Sequence, residues 1–410
     1  LDDLEKKFVE RINILGNFIT DEKVIRNALI VDEGDPFNEI LFNKSINNIQ
    51  SLGIFKKVVS DVQKGSQDSF KIIDLDVEER PTGEISVSAG FGTNGETIGA
   101  GLKENNFLGK GINLNTNFEI TPDSIKGKFI YAKPNFNYSD NTLFTSIKSS
   151  TSDFLNNSGY KTSELGFSLG TKFEQFQNIY LSPEIDFLIE DLETSSKASN
   201  LIKKQEGSYT DLYFNYSINQ DLRDKKFRTE DGFVTTFSQE LPIISDNSEL
   251  SNSFDITTFK KLSTRSDIVG KLSFFGKTIT GLSDDVRISK RLYIPSSRLR
   301  GFAKAKVGPL DNNDYIGGNH LTSLNMSATL PNIFEGLDNL DVGVFFDAAN
   351  IWGIDYDSSL DDKSTIRSSA GIGLNLLTPI GPLSFSFANA ISKASSDKTE
   401  TFRFNLGTQF

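Results

Sequence analysis

The spacing of apolar residues changes once along the chain. Over the first eighty residues helical and strand periods are mixed. "FVERINILGN" reads as a strand that ends at Gly16–Asn17. "TDEKVIRNALI" reads as a helix with Thr20 as N-cap and Asp21 and Glu22 at the positive end of its dipole. Val24, Ile25, Ala28 and Leu29 form its apolar stripe. The pattern opens a second helix at "GDPF", with Asp35 as cap and Pro36 in the first turn. Phe42, Ile46, Ile49 and Leu52 make the buried face of that helix, and Gly53 ends it. "IFKKVVSDVQ" and "FKIIDLDVEER" then pair around "KGSQDS". The order β-α-α-β-β predicts a small α+β domain over 1–80, joined by a linker, 81–83, to everything that follows.

From Glu84 to the end the period is two. "EISVSAGFG" sends Ile85, Val87, Ala89 and Phe91 to one face, and "GINLNTNFEI" sends Ile112, Leu114, Phe118 and Ile120 against four polar residues. "NLDVGVFFD", "GPLSFSFANA" and the final "TFRFNLGTQF" repeat the alternation. The polar face is rich in Asn, Ser, Thr and Gly where a water-facing sheet would carry Lys and Glu, and the connections are unequal in length. Short turns opposite long polar loops are the layout of an outer-membrane barrel, and residues 84–410 at roughly 20 per strand and connection make ~16 strands. The fold expected is therefore mainly β: a 16-stranded antiparallel transmembrane barrel preceded by the small domain.

Composition narrows the function. The 410 residues include no Cys, one His and 34 Phe, with a formal net charge of −12. Without cysteine there is no disulfide framework, thiolate nucleophile or thiolate metal site. His320, in "IGGNH", lacks the partners of a catalytic triad and reads as structural. The acidic balance opposes nucleic-acid binding, which needs a basic patch to neutralise phosphates. The absence of a long apolar run excludes a membrane-spanning helix and leaves a barrel open. "GFGTNG" matches a dinucleotide-binding fingerprint, but strand pattern follows it where a helix is required, so it reads as a hairpin. No metal, cofactor or catalytic residue is expected, and the chain reads as no enzyme. Its start at Leu1 without a signal peptide is read as processing, or excision from a longer precursor.

"SLGIFKKV", "VEERPTGEISVSAGFG", "NNFLGKG", "LRGF", "GGNHLTSLNMSATLP", "FFDAANIWG", "SSAGIGLNLLTPIGPLSFSFA" and "FRFNLGTQF" occur in this order along the chain. Together they resemble the BamA family, the central subunits of bacterial β-barrel assembly machinery. The resemblance implies that 1–80 is the last of several periplasmic POTRA domains and 84–410 the barrel. It further implies an outer-membrane assembly factor, or insertase, that folds client barrels by β-augmentation at a lateral gate, without nucleotide.

In such proteins an Arg-Gly-Phe tip on the sixth external loop folds back into the lumen. Here that loop spans about 285–318 and its tip is Leu299, Arg300, Gly301 and Phe302. The alternation of Leu340, Val342, Val344 and Phe346 with Asp341, Gly343, Phe345 and Asp347 sends Asp347 inward, as a partner for Arg300. Gly301 would allow a turn closed to other residues, and Phe302 would pack on the wall. The family often adds a second carboxylate, at the position of Ser327 here. The resemblance places the gate between a first strand containing Glu84, Ile85, Ser86, Val87 and Ser88 and a last strand, from about Thr401, containing Phe402, Phe404, Leu406, Gly407 and Phe410. Gly407 is expected inside that strand, as a kink.

The partners implied are unfolded outer-membrane barrel clients, assembly-machinery lipoproteins of the BamD kind, periplasmic chaperones and outer-membrane lipid, with no nucleic acid. Glu79 and Arg80, at the junction, fall on the family's lipoprotein-contact position. Phe410 also matches a C-terminal signal for the same machinery. A two-partner secretion pore and a TamA-like assembly factor share much of this architecture and are the alternatives; a POTRA-like domain would serve no purpose in a passive porin.

Overall fold

The computed structural model describes residues 6–226, 228–263, 267–331, 339–360, 363–378 and 381–407. These form two compact units: 1–86 with 101–117 and 129–145, and 87–100 with 118–128 and 146–410.

The first unit opens with β1 (Phe8–Leu15), α1 (Glu22–Arg26), α2 (Glu39–Ser51), β2 (Phe55–Lys64) and β3 (Phe70–Glu79). The three strands form one sheet in the order β1-β3-β2, with β1 parallel and β2 antiparallel to β3. Ile73, Leu75 and Val77 alternate inward on β3 and are at most 3% exposed. On β1 the buried residues are Val9 and Ile12, three apart, because the register shifts between Val9 and Arg11. A bulge of this kind changes which face the following side chains take. Ile25, Phe42 and Ile49 from the helices complete the core.

Both helices start later than the sequence pattern predicts. Asp21 caps α1 by accepting from the Lys23 N–H; the Thr20 hydroxyl is already occupied, accepting from Asn106 Nδ2 at 2.9 Å. Asn38 caps α2, accepting from the N–H groups of Ile40 and Leu41. Asp35 and Pro36 lie before the helix, in a stretch tied to the start of β1: the Val9 N–H donates to the Asp35 carbonyl and the Phe37 N–H to the Lys7 carbonyl. That pairing with β1 holds the segment extended and delays the helix.

Eleven strands follow with short or medium connections: β4 (Gly83–Gly92), β5 (Gly95–Phe107), β6 (Ile112–Thr121), β7 (Ser124–Lys133), β8 (Thr142–Phe154), β9 (Tyr160–Phe176), β10 (Ile179–Thr194), β11 (Gly207–Asp221), β12 (Gly232–Ser245), β13 (Glu249–Lys261) and β14 (Val269–Gly281). A short helix, α3 (Asn200–Lys203), lies between β10 and β11. The long loop 282–319 carries a small hairpin, β15 (Leu310–Asp311) and β16 (Asp314–Tyr315). Then come β17 (His320–Pro331), β18 (Leu340–Trp352), β19 (Arg367–Thr378), β20 (Gly381–Ser392) and β21 (Phe402–Leu406). Sixteen of these strands close into one antiparallel barrel, β4 to β14 and β17 to β21, with β21 beside β4. "GFGTNG" is the tight β4–β5 turn.

The wall alternates as a membrane barrel must. On β9 and β10 Leu165, Phe167, Leu169, Ile185, Phe187 and Ile189 stay 38–53% exposed on the outside. Between them Ser168, Asp186, Leu188 and Glu190 turn inward and are buried. Apolar outside and polar inside is the reverse of a water-soluble fold, and it fits strands that stand in hydrocarbon. Leu75→Ala should destabilise the small domain by about 2–5 kcal/mol, as for other large-to-small core changes. Hydrogen exchange should then accelerate across β1–β3 and stay unchanged in β9–β11.

Candidate functional site: the lumen loop, the seam and the junction

Loop 282–319 enters the barrel, and its apolar anchors are deeply buried. Leu299 and Phe302, both 2% exposed, pack with Ile294, Val307, Leu321, Ala349 and Ile351. Between them Arg300 meets Asp347 in a two-point contact: Nε donates to Oδ2 and Nη2 to Oδ1, each at 2.7 Å. The Arg300 backbone N–H adds a third bond to Oδ2 at 3.1 Å. Asp347 is fully buried, and the guanidinium carbon sits 3.4 Å from the Phe345 ring centroid. The cation is thus held by a carboxylate at its edge and an aromatic face beneath it.

Gly301 makes the turn at φ +86°, where a Cβ would crowd Ala388 and Ser369. Ser327 also lines the lumen beside Arg300. Asn325, rather than a second carboxylate, braces the site by donating to Asp347 Oδ1 at 2.8 Å and to the Arg298 carbonyl at 2.7 Å.

The loop carries further cations that motif reading passes over. Arg298 pairs with Asp255 and lies over the Phe275 ring. Arg287, 1% exposed, sits among Asp211 at 2.6 Å, Glu249 at 3.4 Å and Glu190 at 3.5 Å, with its guanidinium over Tyr209. Arg291 pairs with Asp355. The signal was available as a complementarity: a loop dense in arginine faces strands whose inward parity includes Glu190, Asp211, Glu249, Asp255 and Asp347. Recognising it requires knowing that the loop turns inward.

Arg403, on the last strand, was likewise absent from the expected set. Its Nη1 donates to the Ser296 carbonyl at 2.8 Å and its Nη2 to the Phe302 carbonyl at 2.7 Å. Glu400 accepts from Arg403 Nε at 2.8 Å, while the Glu400 N–H donates to the Gly301 carbonyl. The loop tip is therefore bonded to β21 on one side and to β18 on the other. A polar cavity of about 260 Å³ lies beside this contact, lined in part by Arg300, Arg403, Asn375 and Asn405.

The seam is short. Neighbouring strands such as β10 and β11 match over fourteen residue pairs. Among the described residues, β21 and β4 match over two, Asn405 with Gly92 and Leu406 with Phe91. Thr93 extends the join by donating its N–H to the Phe404 carbonyl and accepting the Phe404 N–H. Phe402 is 42% exposed, and the Phe404 ring packs against Phe91. Gly407 lies just past the described span of β21, and the residues after it are outside the described chain. It follows Leu406 at φ +96°, outside β geometry, with room for no Cβ against the Ala89 carbonyl. Phe410 lies outside the described residues. Along β4, Glu84, Ile85, Ser86 and Val87 are exposed, Ile85 and Val87 by 81% and 80%, and Ser88 is half-buried.

At the junction, Glu79 and Arg80 are both engaged internally. The Glu79 carboxylate accepts the Ile19 N–H at 3.0 Å and the Thr20 N–H at 2.6 Å. Partial burial pushes its pKa up, but the bonds from Thr20, Ile19 and Phe18 outweigh this and hold it below the ordinary glutamate value. Arg80 Nε donates to the Gly53 carbonyl at 2.7 Å. His320 stacks on Trp352 and takes part in none of these contacts.

A sixteen-stranded barrel with an inward-folded arginine loop and a preceding β-α-α-β-β domain defines a class of outer-membrane-type barrel that carries a separate N-terminal domain. Family comparison narrows the class. Residues 106–410 match the Omp85 superfamily domain, and residues 8–80 match the POTRA family, described as a surface antigen variable number repeat. The chain belongs to the Omp85 superfamily.

It is 25% identical to the outer membrane protein assembly factor BamA of Neorickettsia risticii (strain Illinois), covering 99% of this chain and 55% of that protein. With BamA of Neisseria meningitidis serogroup B it shares 24% identity, over 99% of this chain and 57% of the relative. The chain spans about half the length of the curated relatives it matches. Among solved structures, BamA from Haemophilus ducreyi lacking POTRA domains 1–3 shares the fold with a TM-score of 0.84 at 23% identity, covering 98% of this chain and 85% of that one. CdiB from Acinetobacter baumannii shares it with a TM-score of 0.60 at 12% identity, over 98% and 74%.

Arg300→Met should leave Asp347 as a buried charge without its partner, a change of about 3–5 kcal/mol in the docking of the loop. Protease cleavage within 282–319 should accelerate accordingly, while Arg300→Lys, which keeps the charge and loses the fork, should fall between. Glu79 should contribute stability at neutral pH, because its folded pKa lies below the unfolded value. That contribution should fade as pH falls from about 4.3, the unfolded glutamate value. Exchange of the Ile19 and Thr20 amides should rise over that window, and Glu79→Gln should show the raised rate at neutral pH.

Proposed function

We propose that the chain is the membrane-embedded part of an outer-membrane protein assembly factor. It folds and inserts client β-barrels at a lateral gate between β4 and β21, without nucleotide, and works by binding rather than as an enzyme. The observation that carries this reading is the seam. Two residue pairs join β21 to β4, leaving Glu84–Gly90 without a partner in the described part of the last strand. Unpaired N–H and C=O groups are costly in hydrocarbon, so an edge of this kind is a template for an incoming strand. An unfolded client supplies that strand and its own folding free energy drives the insertion.

The POTRA domain stands on the periplasmic side in this reading, where chaperones deliver clients and BamD-like lipoproteins dock. Glu79 and Arg80 serve that docking by fixing the Phe18–Thr20 turn and the end of α2, since their charged groups are already bonded within the domain. Arg300 ties the loop tip to β18 and Arg403 ties it to β21, on one side of the gate, so the loop senses whether β21 is in place.

Because the chain has no cysteine, Phe91→Cys with Leu406→Cys places a lockable pair directly across the seam. Liposomes carrying the reduced variant should accelerate the folding of an unrelated outer-membrane barrel. Oxidation should abolish the acceleration, and reduction should restore it. Acceleration that survives oxidation would remove the gate and keep the assembly role. Ion conductance without any acceleration would point to a secretion pore.

A further inference from the structure

Several strongly exposed apolar residues of the first unit come together where the small domain touches a barrel turn. Phe18 is 94% exposed and Ile19 74%, in the link between β1 and α1. Leu108, in the β5–β6 turn, is 72% exposed, and Phe107 before it 38%. The two segments are fastened together. The Asp21 N–H donates to the Gly109 carbonyl at 2.7 Å, Asn106 Nδ2 reaches the Thr20 hydroxyl, and a Cβ on Gly109 would fall 2.0 Å from the Ile19 carbonyl. Glu79 fixes the other side of the link by accepting the Ile19 and Thr20 N–H groups. A rigid, doubly braced segment thus presents its largest apolar side chains outward.

The turn makes the same choice against its backbone preference. Leu108 sits at φ +55°, a left-handed conformation normally given to Gly or Asn in turns that face water. A leucine held there at a conformational cost, and left exposed, points to an apolar surrounding. The position supplies one. β4 enters the barrel from the small domain, so the end of β5 and its turn lie at that same rim. Leu102, 46% exposed on β5, belongs to the outward apolar face; Phe107, the last residue of that strand, and Leu108 just past it are exposed at the strand's end. Lys110 follows in the same turn and is exposed, as expected of a cation at the headgroup level.

We propose that Phe18, Ile19, Phe107 and Leu108 form one interfacial anchor that inserts into the near leaflet of the phospholipid bilayer and ties the small domain to the membrane beside the first barrel hairpin. The occupant is lipid because the patch lies at the end of a strand whose outward apolar face stands in hydrocarbon; to that extent the inference rests on the membrane-barrel reading. Insertion at this level reaches about 5–10 Å into the headgroup and acyl boundary.

The test uses the whole chain, which is free of cysteine, in liposomes of phosphatidylethanolamine and phosphatidylglycerol. An environment-sensitive fluorophore is attached in turn at Phe18→Cys, Leu108→Cys, Leu102→Cys and Gln67→Cys. Leu102 is the barrel reference, and Gln67, in the β2–β3 turn at the opposite end of β3 from Glu79, is the aqueous one. Probes at 18 and 108 should shift to the blue and lose emission when spin-labelled lipid is added, as at 102, while the probe at 67 stays unquenched. Probes at 18 and 108 that behave like 67, with 102 quenched, would sink the anchor and leave the barrel reading intact. An unquenched probe at 102 would overturn both.

Discussion

Backbone hydrogen bonding in hydrocarbon is the constraint on which this molecule depends. A strand in a bilayer has no water to satisfy its N–H and C=O groups, so every edge must be paired or the sheet must close. The barrel strands are hydrogen-bonded neighbour to neighbour around a closed ring, and β21 is joined to β4 over two residue pairs in the described chain. Gly407, at φ +96°, follows Leu406, where β21 ends among the described residues.

Charge burial is the second force. A lumen lined with Glu190, Asp211, Glu249, Asp255 and Asp347 would repel itself if empty. The loop answers with Arg287, Arg298 and Arg300, each beside a carboxylate and each over an aromatic ring. Breaking one such contact leaves a buried charge behind, which gives the loop a definite seat. Arg403 connects that seat to the last strand: an arginine of β21 bonds two loop carbonyls.

The junction between the small domain and β5 is rigid for a different reason. Glu79 spends its carboxylate on backbone N–H groups, and Asn106 joins the turn of β5 to Thr20. Glu79 and Arg80 are both bonded within the small domain. The apolar tip they brace, Phe18 and Ile19, is what the domain offers to its surroundings.

Much was determined by the sequence alone. Period two from Glu84 onward, with Asn, Ser and Thr on the second face, is sufficient for a membrane barrel because side-chain direction alternates strictly along a strand. The same parity sends Asp347 inward, whereas "LRGF" is identified as the loop tip through the family resemblance. What the sequence could not determine needed neighbours distant in the chain. The helix starts moved from Thr20 and Asp35 to Asp21 and Asn38 because Asn106 and β1 had claimed the earlier residues. The bulge in β1, the bracing of Asp347 by Asn325, the Arg287 cage and the Arg403 clamp likewise depend on which strands lie side by side. Local pattern is set by the chain's own geometry, whereas each of these contacts joins residues whose proximity exists only once the ring has closed and the loop has turned inward.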